Sequence, residues 1–184
     1  MKIGIAGCGG IGSNVADNLV RSGIKKLVIV DFDKVEESNL NRQNYFLDQV
    51  GEFKTVALQE NLQRIDESVN IEPVNKKLNK TNIKDIFKDC DIVIEAFDKK
   101  HYKKMLFEEF ADSGKLCVGA SGIAGYDIDG IEIKKIDDFY LVGDFKTDNK
   151  DEEVYVSKLR IITSIMSNLV LEESDEYAKN LQSD

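Results

Sequence analysis

Apolar residues arrive in short runs separated by polar stretches of helix length, beginning with KIGIAG, Lys2–Gly7. That run reads as a strand entering the glycine-rich turn GCGGIG. Ser13–Arg21 then carries a helical repeat, with Ile11, Val15, Leu19 and Val20 on one face. The next run, KKLVIVDFD, is continuously apolar from Leu27 to Val30, as expected of a strand covered by helices on both faces. Lys2–Asp31 is thus a first strand-helix-strand unit.

Further units repeat the pattern. A helical stretch begins at Asp48, breaks near Gly51 and has its main run over Phe53–Ile65. Val69–Asn75 predicts a third strand, and Pro73 puts it near an edge or makes this its end. Thr81 is placed to cap a short helix through Phe87. Asp91–Asp98, Tyr102–Ala111 and Lys115–Ser121 predict a strand, a helix and a fifth strand. After Gly122 the segment IEIKKIDDFYLVG holds two short apolar runs split by acids, which predicts antiparallel strands. Asp144–Tyr155 is polar and acidic enough to predict a flexible loop, and Ser157–Glu172 a closing helix. The expected fold is α/β, Rossmann-like and doubly wound, a mainly parallel sheet with antiparallel strands at its C-terminal edge.

Composition narrows the class. A length of 184 residues predicts one domain over 1–184, and 42% hydrophobic with 32% charged residues predicts a soluble globular chain with no membrane span. The N-terminus runs from one lysine straight into a strand, without the long apolar region of a leader, so a cytoplasmic protein is expected. Cys8, Cys90 and Cys117 are widely spaced, form no CxxC pair and sit in apolar surroundings, which predicts reduced, buried thiols and no zinc. The single histidine, His101, lies among lysines, so no Ser/His/Asp constellation can be assembled. A net charge of −9 disfavours nucleic acid as partner, and any bound phosphate must be held locally, by backbone amides and a few placed cations.

Gly7, Gly9 and Gly12 spell G-x-G-x-x-G between strand and helix, where a tight turn, close backbone approach and a helix N-terminus coincide to hold phosphate; Gly10 adds another position without a side chain. Asp31 follows nineteen residues after Gly12, where a carboxylate meets a ribose hydroxyl. These residues alone leave open an ATP enzyme, an NAD-dependent oxidoreductase and a noncatalytic nucleotide-binding subunit. The next segment, DFDKVEESNLNRQ, adds acids and a single arginine, Arg42. Fixed cations beside a ribose carboxylate suit attack on the α-phosphate of ATP better than hydride transfer.

The order GCGGIG, VDFDKVEESNLNRQ, GEFK at Gly51–Lys54 and AFD at Ala96–Asp98 resembles the ThiF/MoeB/HesA superfamily, related to the adenylation domain of ubiquitin-activating enzymes. The resemblance implies that Asp31 holds the ATP ribose, that Asn39 and Arg42 reach the phosphates, that Lys54 supplies a second cation and that Asp98 binds Mg²⁺. Ser38 is a further nucleotide-site candidate, although its residue type suits a local cap or turn. Asp144–Tyr155 resembles the family's crossover region but holds no cysteine, and Lys99 stands where the family commonly has Asn. The short, zinc-free form most resembles ThiF proteins of thiamine biosynthesis. It implies Mg-ATP-dependent adenylation of the C-terminal glycine of a ThiS-like ubiquitin-fold sulfur carrier, by a homodimer.

Overall fold

The computed structural model describes the backbone of residues 1–182 and the side chains of residues 1–174. Strands β1 (Ile3–Ala6), β2 (Lys26–Asp31), β3 (Asn70–Asn75), β4 (Ile92–Glu95), β5 (Leu116–Ala120), β6 (Glu132–Ile136) and β7 (Phe139–Gly143) form one sheet in the order β3-β2-β1-β4-β5-β7-β6. Every neighbouring pair is parallel except β6 with β7. This is the expected Rossmann-like sheet, with its antiparallel pair at the edge. The chain leaves β1 toward β2 and β3, then returns to β4 on the other side of β1, so the crevice at the switch point opens beyond the carboxyl ends of β1 and β4.

Side-chain alternation sorts the core onto two faces. Ile3, Ile5, Leu27, Ile29, Ile92 and Ile94 pack beneath α1 (Gly10–Arg21), α2 (Lys54–Gln63) and α5 (Val156–Gln182). Ala6, Val28, Val30 and Val93 pack on the other side with α3 (Ile83–Ile86) and α4 (Lys100–Phe110), where Phe87 and Phe110 are fully buried. No helix among the described residues is long and apolar enough to cross a membrane.

Several sequence expectations need correction. Helix α1 starts at Gly10 rather than Ser13, because the Ser13 N–H donates to the Gly9 carbonyl at 3.0 Å and closes a turn that begins inside the glycine run. Helix α4 starts at Lys100 rather than Tyr102. Thr81 does not cap α3: its hydroxyl donates to Asn79 Oδ1 at 2.7 Å, while Asn82 occupies the cap position. The loop Asp144–Tyr155 is held at its first residue. Asp144 Oδ1 accepts the N–H groups of Lys146 and Thr147 at 2.8 and 2.9 Å, and Oδ2 accepts the Thr147 hydroxyl at 2.8 Å and Lys158 Nζ at 2.6 Å.

Candidate active site

The glycine turn leaves β1 through Gly7, whose φ of +107° and whose contact with the Ala96 carbonyl, 2.8 Å from where a Cβ would sit, exclude other residues. Gly12 serves packing: a Cβ there would lie 1.8 Å from the Gly7 carbonyl oxygen. Gly9 precedes α1 without a side-chain cap, and the first turn of α1 carries no acid, so its leading N–H groups and positive dipole end remain available to an anion.

Asp31 does more than end β2. Its Oδ2 accepts the Cys8 N–H at 2.7 Å, and Oδ1 accepts the N–H groups of Phe32 and Asp33 at 2.7 and 2.9 Å, so one carboxylate joins the glycine turn to the following acidic segment. Tyr45 braces the same turn from behind, donating its buried hydroxyl to the Cys8 carbonyl at 2.6 Å. Burial, then the nearby Cys8 and Asp31, raise the Tyr45 pKa well above its ordinary value, so it remains a donor. Asn14 on α1 donates to the Gly10 carbonyl at 2.7 Å and the Arg42 carbonyl at 2.9 Å, bolting the arginine segment to the helix start. Neither Tyr45 nor Asn14 was singled out from sequence, because an amide or phenol that braces backbone leaves no local pattern.

A cleft of about 1160 Å³ opens at this end of the sheet. Gly7, Gly9, Gly10, Asp31, Arg42, Lys54 and Asp98 all line it. Gly12, Ser38 and Asn39 do not. The Ser38 hydroxyl donates to Glu36 Oε2 at 3.3 Å, and Asn39 Oδ1 accepts the Glu36 N–H at 3.1 Å, so both side chains bond to the residue that caps their own short 3-10 turn, Glu37–Asn39.

The two cations differ in environment. Arg42 Nη1 donates to the Ser38 carbonyl at 3.1 Å and to Asn41 Oδ1 at 2.7 Å, but the guanidinium makes no ion pair among the described residues. Lys54 is buried at the start of α2; its ammonium lies 3.9 Å from Asp33 Oδ2 and donates no hydrogen bond to protein among the described residues. The Asp33 pKa is raised, first by partial burial and then by Asp31, with Lys54 opposing and Asp98 adding to the rise. Three acids, Asp31, Asp98 and Glu36, and one base, Lys54, act on this one carboxyl group, so the charges of the site share one neighbourhood.

Asp98 is exposed just before α4, in a turn set by a buried pair. Glu95, fully buried at the end of β4, accepts the Phe97 N–H at 2.8 Å and Lys103 Nζ at 2.8 and 3.1 Å, while Lys103 also reaches the Ala120 carbonyl at the end of β5. Burial raises the Glu95 pKa and Lys103 opposes that rise. In the sequence Lys103 is simply one of the lysines that flank His101. The N-cap position of α4 is Lys99, with no side-chain cap bond.

The model of the ThiF family matches residues 1–131. The chain belongs to the ThiF family. Curated relatives include the sulfur carrier protein adenylyltransferase of Thermus thermophilus, 36% identical over 95 residues, and adenylyltransferase and sulfurtransferase MOCS3 of Xenopus laevis, 32% identical over 120 residues. Those alignments cover 51% and 65% of this chain but 35% and 27% of the relatives, so the chain spans about a third or less of their length. Among solved structures, E. coli tRNA N6-threonylcarbamoyladenosine dehydratase in complex with AMP superposes with a TM-score of 0.87 at 19% identity, over 97% of this chain and 87% of that one. That likeness is one of fold, and it takes in β6, β7 and α5, beyond the stretch matched by family.

Proposed function

We propose that this chain activates a C-terminal carboxylate: it transfers AMP from ATP to the terminal glycine of a ThiS-like ubiquitin-fold sulfur carrier and releases pyrophosphate, within thiamine biosynthesis. The observation that carries this reading is one cleft lined at once by the glycine turn, Asp31, Arg42, Lys54 and Asp98. The curated relatives' names, adenylyltransferases among them, support the reaction class.

In this reading the open N–H groups of α1 and the glycine backbone take phosphate oxygens, and Asp31 takes the ribose. One oxygen of the glycine carboxylate attacks the α-phosphorus, the bond to the bridging oxygen breaks, and that oxygen leaves on pyrophosphate. No general base is required, because a C-terminal carboxylate is already ionised at neutral pH. Arg42, with guanidinium donors not spent on any acid, and Lys54, desolvated by its surroundings, offset charge that gathers on the nonbridging oxygens.

Asp98 would hold Mg²⁺. Among the described residues no group of three or more His, Cys, Asp or Glu side chains is placed to enclose a metal ion. A lone exposed carboxylate fits a magnesium ion carried mainly by nucleotide phosphates and water, which is how that hard cation is commonly held. When bound, it would supply charge neutralisation on the departing pyrophosphate. A homodimer is the proposed working unit, and the exposure of the apolar Phe46, Leu47, Val50 and Val56, shortly after the arginine in sequence, supports it.

The test is exchange of labelled pyrophosphate into ATP in the presence of ubiquitin-fold carriers ending in Gly-Gly. Exchange is expected only with carrier, and Arg42→Ala should slow it on the order of a hundredfold or more. No exchange with any carrier, together with protection from heat by NAD and not by Mg-ATP, would select an oxidoreductase instead.

A further inference from the structure

The cleft differs in charge from the molecule that carries it. The whole chain has a net charge of −9, yet lysine and arginine outnumber acids along the cleft walls. Beyond Arg42 and Lys54, a rim of lysines comes from two crossovers: Lys76 and Lys77 follow β3, and Lys99, Lys100 and Lys104 open α4.

Their charges are only partly answered. Lys100 meets Asp148 at 2.9 Å and Lys104 meets Glu108 at 3.5 Å, whereas Lys76, Lys77 and Lys99 make no ion pair among the described residues. The Lys77 ammonium lies instead 5.6 Å from the Phe32 ring centroid and 5.9 Å from that of Tyr102. The acid on Lys100 belongs to the chain's own acidic loop, and Glu152 and Glu153 of that loop line the cleft as well. An acidic peptide in cis therefore already covers part of the rim, through a pair in which the Lys100 side chain is 83% exposed. Exposed pairs of this kind are weak and exchange readily.

We propose that the lysine rim docks an acidic segment of the macromolecule whose carboxylate is activated, and that this segment displaces Asp148 from Lys100. The proposal rests on the adenylation reading for the identity of that macromolecule. Charge complementarity and the acidic loop seated on Lys100 argue for a peptide occupant. Nucleic acid is the poorer fit, because a long polyanion would meet the net negative field of the whole chain, whereas a few carboxylates meet only the local cationic one.

The probe is a fluorescently labelled octaglutamate peptide ending in Gly-Gly, followed by anisotropy without nucleotide at low and high salt, with an octaglutamine counterpart as control. The wild-type chain should bind the acidic peptide, lose it with salt, and ignore the neutral one. Replacing the three unpaired lysines together, Lys76→Ser, Lys77→Ser and Lys99→Ser, should weaken binding about tenfold or more. Asp148→Asn, which leaves every lysine in place, should tighten it. Equal binding of both peptides, unchanged affinity in both variants, or tighter binding of a single-stranded oligonucleotide of matched charge would overturn the proposal. Pyrophosphate exchange is read separately: exchange without peptide docking refutes the rim alone, and docking without exchange refutes the adenylation reading alone.

Discussion

Replacing Lys54 with methionine separates a catalytic cation from a structural one. The ammonium is buried and its nearest carboxylate oxygen, on Asp33, lies 3.9 Å away. At an effective dielectric of about 20 that distance gives a gross attraction of about 4 kcal/mol, and Asp33, 55% exposed, loses much of it to solvent screening. Against it stands the desolvation of the ammonium, several kcal/mol for a buried ion. The two nearly cancel. Methionine keeps the side-chain volume, and the Lys54 backbone N–H still donates to the Asp33 carbonyl, 3.0 Å away. Lys54→Met should therefore unfold in urea within about 1 kcal/mol of wild type, or be slightly more stable. Pyrophosphate exchange, by contrast, should fall about a hundredfold or more, the usual cost of removing one charge-stabilising donor. A loss of more than about 2 kcal/mol of stability with exchange intact would refute the argument, because Lys54 would then be a fastening of the fold.

Lys158→Met should behave oppositely. It strands the Asp144 carboxylate, which keeps its bonds from Lys146 and Thr147, so a loss of about 3 kcal/mol, the lower end for a broken buried pair, is expected from urea midpoints. Acid should find the same site. Burial opposes the Asp144 charge, but Lys158 and the Thr147 and Lys146 N–H groups hold its pKa well below the ordinary 3.8. The stability it contributes is complete above 3.8 and is lost as pH falls below that value toward the folded pKa; Asp144→Asn should flatten the decline in urea midpoint there. The thiols should be inert in the folded chain. Burial pushes Cys90 up to about 11 and Cys117 up to about 12, and Cys8 well above its ordinary value, so iodoacetamide near pH 8 should label all of them only after unfolding, as read by mass spectrometry.

The parallel sheet was legible because strands covered on both faces are continuous apolar runs, as in Leu27–Val30 and Ile92–Ile94. Two helix starts were read late, where glycine and lysine open the helix without signalling a cap: α1 begins inside GCGGIG and α4 inside KKHYKK. At the site, motif order brought out Asp31, Arg42, Lys54 and Asp98, which line one cleft although they come from four different segments. Ser38 and Asn39 fall outside that lining because short polar side chains in a tight turn satisfy their own backbone first. Glu95 with Lys103 and Asp144 with Lys158 were illegible for another reason. Each pair joins a strand end to a helix, and no periodicity reports which of many charged residues will be buried together.

The position of Lys158 couples the acidic wall of the cleft to the timing of synthesis. Its helix, α5, emerges after every strand, and Leu159, Ile162 and Met166 belong to the same core cluster as Ile3 and Ile5 of β1. While that helix is still inside the ribosome, the glycine turn and both candidate cations have been made, but one face of the sheet lacks part of its cover and Asp144 lacks its ammonium partner, Lys158. A nascent chain therefore completes both covers of its sheet, and the fastening of the cleft's acidic wall, only when α5 docks.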